Sequence, residues 1–239
     1  MDNNFFVSID FDGTVINTDI TDAIIKEFAR PEWEHAERLW EDGKIGSRDC
    51  LANQMSLIDA PIEDLLAYTG DFAIDNSFIS FIEFLRKFRI PHAIISDGFK
   101  VFIERLLADA GVNGVPVYAN RLTYEKGSVK AVFPYTSTKC SSGTCKCRTS
   151  EKVAGELPVI HVGDGRSDFC LAEKAAYVFA RGKLSSHCMK NGLAYSSFDN
   201  FNYIEKNLRL LIEHTAVPTR PLSSPRQDVS EQLVWNAVR

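Results

Sequence analysis

The segment Phe6-Val7-Ser8-Ile9-Asp10-Phe11-Asp12-Gly13-Thr14-Val15 restricts the fold more than any other part of the chain. A β-branched, apolar run breaks off into two aspartates two positions apart, then a glycine and a threonine. Such a run is what a strand buried on both faces of a parallel sheet looks like, and it sets Asp10 at the strand's carboxyl end. In an open α/β sheet that edge is where ligands bind. Two carboxylates gathered there repel and raise each other's pKa unless a cation joins them. For this decapeptide alone, an Asp-Gly turn with helix-capping aspartates is the bland alternative.

Two distant segments repeat the pattern. Ile90 to Ile95 is strand-like and delivers Ser96-Asp97-Gly98; Pro158 to Val162 does the same and delivers Gly163-Asp164-Gly165-Arg166-Ser167-Asp168. Carboxylates from two strand ends suit a hard cation with oxygen ligands, magnesium above all. Glycines let backbone amides approach an anion, and the helix after each strand points its positive end there. A cation, an anion cradle and a carboxylate nucleophile together imply phosphoryl transfer.

With these three motifs, DxDGT, SDG and GDGxSD, in order along residues 10 to 168, the chain resembles the haloacid dehalogenase superfamily of phosphohydrolases. The resemblance implies that Asp10 is the nucleophile and forms an aspartyl phosphate, and that Asp12 is the general acid and later the base for water. Ser96, with Asp97 and Gly98, would bind the phosphoryl group. Asp10, Asp164 and the backbone carbonyl of Asp12 would hold Mg2+, with Asp168 in the metal's outer shell. The superfamily also carries a phosphate-binding basic residue between the second and last of these motifs. Lys146 stands eighteen positions before Asp164, room for a helix, a turn and a strand; Arg148 is the runner-up, and Lys152 leaves too little room.

The fold expected is therefore α/β: a doubly wound, mostly parallel Rossmann-like sheet with a small all-helical cap inserted after the first strand. Residues 17–75 hold no convincing strand. Thr18 to Asp22 reads as a helix start, Pro31-Glu32-Trp33 opens a second helix, Ser47 caps a third and Pro61 to Asp64 opens a fourth. Residues 1–16 and 76–214 then form the catalytic core, and a Pro-, Ser- and Arg-rich arm follows at 215–239 with a terminal helix near Val229 to Val238. Within the core, a Phe-rich helix over 77–88 precedes the second strand and another helix spans 99–110. Val115 to Tyr118 reads as a short strand, and Arg121 to Phe133 as a hairpin.

An all-helical insertion at this point is similar to the cap of the phosphoserine phosphatase branch. Within that branch the resemblance is closest to the methionine-salvage phosphatases acting on 2-hydroxy-3-keto-5-methylthiopentenyl-1-phosphate, through Ala29-Arg30-Pro31-Glu32-Trp33 and the cysteine-rich stretch ending Cys145-Lys146. Asp19, Trp33 and Arg48 are the cap residues expected to meet substrate. The alternatives are phosphoserine phosphatase, with Asp19 and Arg48 as its acidic and basic cap residues, another small-metabolite phosphatase, or a phosphotransferase using the same aspartyl phosphate.

Composition agrees with a globular enzyme: 239 residues, 45% hydrophobic and 25% charged. A net charge of −5 argues against a nucleic-acid surface. No apolar run is long enough to span a bilayer and no secretory pattern precedes the first strand, so the expectation is a cytoplasmic monomer or homodimer acting on a small phosphorylated metabolite. Cys140, Cys145 and Cys147 crowd into eight residues beside Lys146. Reduced structural thiols, a redox-labile disulfide and part of a metal site all remain open for them.

Overall fold

The computed structural model describes residues 5–125 and 128–213. β1 (Phe6–Ile9) is followed by four helices, α1 (Ile20–Phe28), α2 (Trp33–Glu41), α3 (Ser47–Ser56) and α4 (Ile62–Thr69). Then come α5 (Asn76–Lys87), β2 (His92–Phe99), α6 (Lys100–Asp109), β3 (Val117–Glu125) and β4 (Ser128–Val132). The remainder alternates: α7 (Lys146–Ala154), β5 (Val159–Gly163), a 3-10 turn at Arg166–Asp168, α8 (Phe169–Ala172), β6 (Tyr177–Ala180), α9 (Gly182–Lys190), β7 (Tyr195–Ser197) and α10 (Phe201–Glu213). The arm over 215–239 and the hairpin tip at Lys126-Gly127 lie outside the described residues. No described helix is long and apolar enough to cross a membrane.

One seven-stranded sheet runs β4-β3-β2-β1-β5-β6-β7, parallel throughout except for the antiparallel β3–β4 pair. The mixed α/β architecture is the one the strand-end motifs imply. Both faces are covered, which is why the central strands read as continuous apolar runs. On β1, Val7 and Ile9 enter the main core with Phe78, Phe81 and Ile94, while Phe6 packs on the other face with Ala93, Ile95 and Leu171. Helix α10 docks on α5 through aromatic contacts: the Phe201 ring centroid lies 5.0 Å from that of Phe78, edge-on, and 5.2 Å from that of Phe81, tilted.

The register positions the site. Ile9, the last residue of β1, pairs with Ile94 on β2 and with Val162 on β5, which sets Asp10 level with the start of the Ser96 and Asp164 segments. β2 does not stop at Ile95 but runs on through Ser96-Asp97-Gly98 to Phe99, with a register shift against β3 between Ile95 and Phe99. β1 lies at the switch point: the chain runs from it to β2, β3 and β4 on one side, then returns to β5 on the other.

Three local expectations change. The segments around Val115 and Arg121 form one strand, because β3 pairs parallel with β2 at Val117 and then antiparallel with β4 from Arg121. Gly46, not Ser47, occupies the N-cap of α3, and the Ser47 hydroxyl is used elsewhere. Helix α9 and strand β7 add an edge with little signal, since α9 buries only Leu184 and Cys188 and β7 has three residues.

Candidate active site

Asp10 leaves β1 with its amide bonded to the Val162 carbonyl at 2.9 Å and its own Oδ1 accepting from the Phe11 amide at 2.8 Å. Across the switch point, the Asp10, Asp164 and Asp168 carboxylates bring an oxygen each within 4.8 Å of one another. Gly13 permits this: at φ +70°, a Cβ there would sit 2.4 Å from Asp164 Oδ2. Thr14 Oγ1 donates to Asp164 Oδ1 at 3.2 Å.

Lys146 opens α7 and is fully buried. Its ammonium lies 2.7 Å from Asp10 Oδ1 and 2.6 Å from Asp168 Oδ1. Arg148 and Lys152, on the same helix, are exposed. Asp168 is saturated: it also accepts from His161 Nε2 at 2.9 Å and from the amides of Asp164 and Gly165 at 3.1 and 2.9 Å.

The electrostatics follow from this packing. Burial drives the Asp10 pKa well above the carboxylate range, and the Asp168 and Asp164 charges add to that against the Lys146 ammonium. Burial alone would raise Asp168 too, but Lys146 and the His161 hydrogen bond hold it well below the usual range. Burial opposes the charge on Lys146, and the two carboxylates outweigh it and raise its pKa. Asp10 and Asp164 remain like charges in one pocket, with Lys146 offsetting part of the repulsion. Clustered carboxylate oxygens of this kind fit a hard divalent cation.

Asp12 stands outside the three-carboxylate cluster. Its Oδ1 accepts from the Ile20 amide at 3.0 Å, at the start of α1, and burial raises its pKa well above the usual range. Its Oδ2 lies where a Gly98 side chain would fall, 2.3 Å from a Cβ built there. We expect Gly98→Ala to push Asp12 out of line and lower turnover by roughly tenfold to a hundredfold with little change in Tm; steady-state rates beside a melting curve check it.

Ser96 is buried, and its Oγ accepts from the Gly98 amide at 2.9 Å. Asp97, grouped with it in the sequence, turns its carboxylate to bracing instead. Its Oδ2 accepts from Ser47 Oγ on α3, and its Oδ1 from the Thr144 amide at 2.7 Å and Asn120 Nδ2 at 3.3 Å. Arg48 also belongs to this brace. Its amide donates to the Ser141 carbonyl at 3.1 Å, while its side chain pairs with Asp49 and does not line the cleft. Asp19 and Trp33 do line it. The cleft holds about 1000 Å³ between the strand ends and the faces of α1, α2 and α3.

Several supporting residues were not evident beforehand. His161 sits inside an apolar strand, and Asn120 and Thr144 meet Asp97 only through the tertiary fold. Arg181 donates from Nε to the Gly13 carbonyl at 2.7 Å and from Nη2 to the Thr14 carbonyl at 3.0 Å, pinning the loop after Asp12. Its signal was position, directly after the strand β6. All six cysteines are free thiols, with Cys145 and Cys147 Sγ 3.5 Å apart and Cys147 hydrogen-bonded to Cys170. Among the described residues only the aspartate cluster gathers three such ligand atoms within 4.8 Å.

A family model described as "Putative Phosphatase" matches residues 5–189. A 2-hydroxy-3-keto-5-methylthiopentenyl-1-phosphate phosphatase of Lysinibacillus sphaericus (strain C3-41) is 30% identical, covering 88% of this chain and 96% of the relative. The protein of the same name from Bacillus cereus (strain B4264) is 28% identical, covering 87% and 97%. In fold, the chain is similar to a substrate-bound phosphoserine phosphatase (TM-score 0.60, 19% identity, covering 90% of this chain and 99% of that one). It is also similar to the phosphoserine phosphatase of T. onnurineus (TM-score 0.65, 16% identity, covering 87% and 98%). The chain belongs to this phosphatase family, with the haloacid dehalogenase type of fold, and is by class a phosphoric monoester hydrolase.

Proposed function

We propose that the protein is a magnesium-dependent phosphomonoesterase that works through an aspartyl phosphate on Asp10 and acts on a small phosphorylated metabolite. The observation that carries this is the buried Lys146 ammonium, 2.7 Å from Asp10, beside carboxylates converging from the ends of β1 and β5. Asp10 attacks phosphorus, Lys146 and Ser96 with the Gly98 amide bind the phosphoryl oxygens, and the ester oxygen leaves. Asp12, whose burial favours the protonated carboxyl, gives the proton to that oxygen and then takes one from the water that cleaves the aspartyl phosphate. Asp10, Asp164 and the Asp12 carbonyl would hold magnesium, which neutralises charge between the nucleophile and the incoming anion. Asp168 acts through others, orienting Lys146 and the amides of the Asp164 loop.

Residues 17–75 serve in this reading as a cap that shields the ester from water, with Asp19 and Trp33 facing the cleft. The methylthiopentenyl phosphate named for the relatives is the substrate we favour, on their near full-length coverage. Phosphoserine is disfavoured because Arg48, its expected carboxylate partner, does not line the cleft.

The expected result is phosphate release from that ester with magnesium, abolished by EDTA and restored by added magnesium. Acid quenching during turnover should leave one phosphoryl group on the peptide bearing Asp10. Release that is indifferent to EDTA, or a phosphoryl group passed to an organic acceptor in preference to water, overturns the reading.

A further inference from the structure

Three thiols gather beside Lys146 and take no part in the proposed phosphate chemistry. Cys145 is the N-cap of α7 and Cys147 lies in its first turn, with Lys146 between them and the two Sγ atoms 3.5 Å apart. Cys170 arrives from the other side, in α8, two residues after Asp168, and its sulfur is hydrogen-bonded to Cys147. Cys145 is buried, whereas Cys147 and Cys170 are both half-buried and so partly open to solvent.

We propose that Cys170 and Cys147 are a site of reversible modification: a hydroperoxide oxidises Cys170, and the Cys147–Cys170 disulfide that follows lowers the phosphatase rate. The effect on rate rests on the phosphatase reading; the modification itself does not. The Cys170 sulfur attacks the terminal oxygen of the hydroperoxide, the O–O bond breaks, and the alcohol leaves with the proton that Cys170 gave up. The Cys147 sulfur then displaces hydroxide from the Cys170 sulfenic acid, and that hydroxide takes the Cys147 proton and leaves as water. The two thiols lose two electrons and the hydroperoxide gains them.

Position sets Cys170 apart from the other thiols. Reactive thiols are held as thiolates at helix N-termini and beside cations. The Cys147 thiol donates to Cys170, the Cys147 amide in the first turn of α7 does too, and Lys146 adds its charge. Together these lower the Cys170 pKa to about 6, against burial and the Asp168 charge. The same hydrogen bond pushes the Cys147 thiol up and leaves it the proton-bearing partner. Cys50 and Cys188 are buried, and burial pushes them up to about 12 and about 11.

The disulfide reaches the catalytic pair through its neighbours. Bonded sulfurs stand about 2 Å apart, against 3.5 Å for the Cys145–Cys147 contact. Closing the Cys147–Cys170 bond therefore draws the first turn of α7 toward α8. Lys146 and Asp168 adjoin the bridged positions and form a 2.6 Å ion pair, so they shift with it. Misplacing a catalytic group by about 1 Å costs on the order of a hundredfold in rate.

The test treats the reduced full-length enzyme with hydrogen peroxide, blocks remaining thiols with N-ethylmaleimide and maps the peptides. Phosphate release from the favoured ester is followed in parallel with magnesium. The expected product is a Cys147–Cys170 disulfide, with Cys50 and Cys188 still free to alkylate after denaturation. Phosphate release should fall by about tenfold to a hundredfold and return in dithiothreitol. Cys170→Ser, or Cys170→Ala where serine weakens the fold, should stay within about twofold of the wild-type rate and lose the peroxide response. A Cys145–Cys147 link in place of the expected one, a loss of rate that Cys170→Ser retains, or a cross-linked enzyme of undiminished rate overturns the proposal. So does about one equivalent of zinc in the purified protein that shields the thiols until it is chelated. The peptide map needs no turnover, so an enzyme inert toward the ester that still forms the disulfide supports the modification and overturns the phosphatase reading.

Discussion

Asp10→Asn is expected to abolish turnover, by about four orders of magnitude or more, while the protein remains folded. The amide keeps the shape of the carboxylate but cannot form an acyl phosphate, so both chemical steps vanish together. Stability should hold for a reason specific to this site. Burial and the neighbouring Asp168 and Asp164 charges already make an ionised Asp10 costly, and Lys146 keeps its second partner, Asp168, 2.6 Å away. Removing one of three mutually repelling carboxylates relieves the cluster, so the melting temperature should be unchanged or higher. Phosphate-release assays beside thermal melts check both halves. Residual turnover within a hundredfold of wild type would force a different nucleophile, and a collapsed melt would mean that Asp10 supports the fold instead.

The gathering of carboxylates at the strand ends was legible because three signals coincide in the sequence. An apolar run marks a buried strand, its last residue marks the ligand-binding edge, and the glycine that follows marks a close approach. Gly13 against Asp164 and Gly98 against Asp12 show that the glycines answer to carboxylates, which the motif alone does not say. Spacing disfavoured Lys152 and left Arg148 as runner-up to Lys146; the two share the first turn of α7 and part by face, Lys146 being buried against Asp10 and Asp168 while Arg148 is exposed.

What stayed hidden depends on pairings across long sequence separations. Asp97 reads as part of an anion cradle, yet its carboxylate is committed to Ser47, Asn120 and Thr144, fifty, twenty-three and forty-seven residues away. Ser47 and Arg48 read as a helix start and a substrate contact because nothing local reveals the loop near Ser141 on which α3 rests. Gly46 makes that contact possible, since a Cβ there would fall 2.3 Å from Ser141. Glu37 on α2 and Gln54 on α3 look like the solvated face of two polar helices until packing sets Gln54 Nε2 2.8 Å from Glu37 Oε2. Periodicity identifies which face a residue occupies, but not what that face meets.

Lys146→Met should damage stability and activity together, in contrast to Asp10→Asn. Methionine matches the length of the lysine stem and fills its space, so the change isolates the ammonium. Without it, Asp10 and Asp168 remain buried with no cation between them, and breaking a buried pair from one side costs about 3–5 kcal/mol. The pH dependence carries the diagnostic. In the wild type Lys146 helps hold Asp168 below its ordinary pKa, so this carboxylate adds stability above the unfolded value of about 3.9 and loses it only as the pH falls through the depressed one. In the variant Asp10, already raised by burial, loses the cation that opposes the shift, so its penalty grows as the pH rises from about 4 and vanishes below it. The stability gap between the two proteins should therefore be widest near neutrality and shrink toward about pH 4, as measured by urea unfolding along that range. Adding Asp10→Asn to Lys146→Met should recover much of the lost stability and none of the phosphate release, because it removes the stranded charge together with the nucleophile. A gap that stays constant with pH would mean that Lys146 acts through packing alone, and the electrostatic pairing on which its role rests would fail.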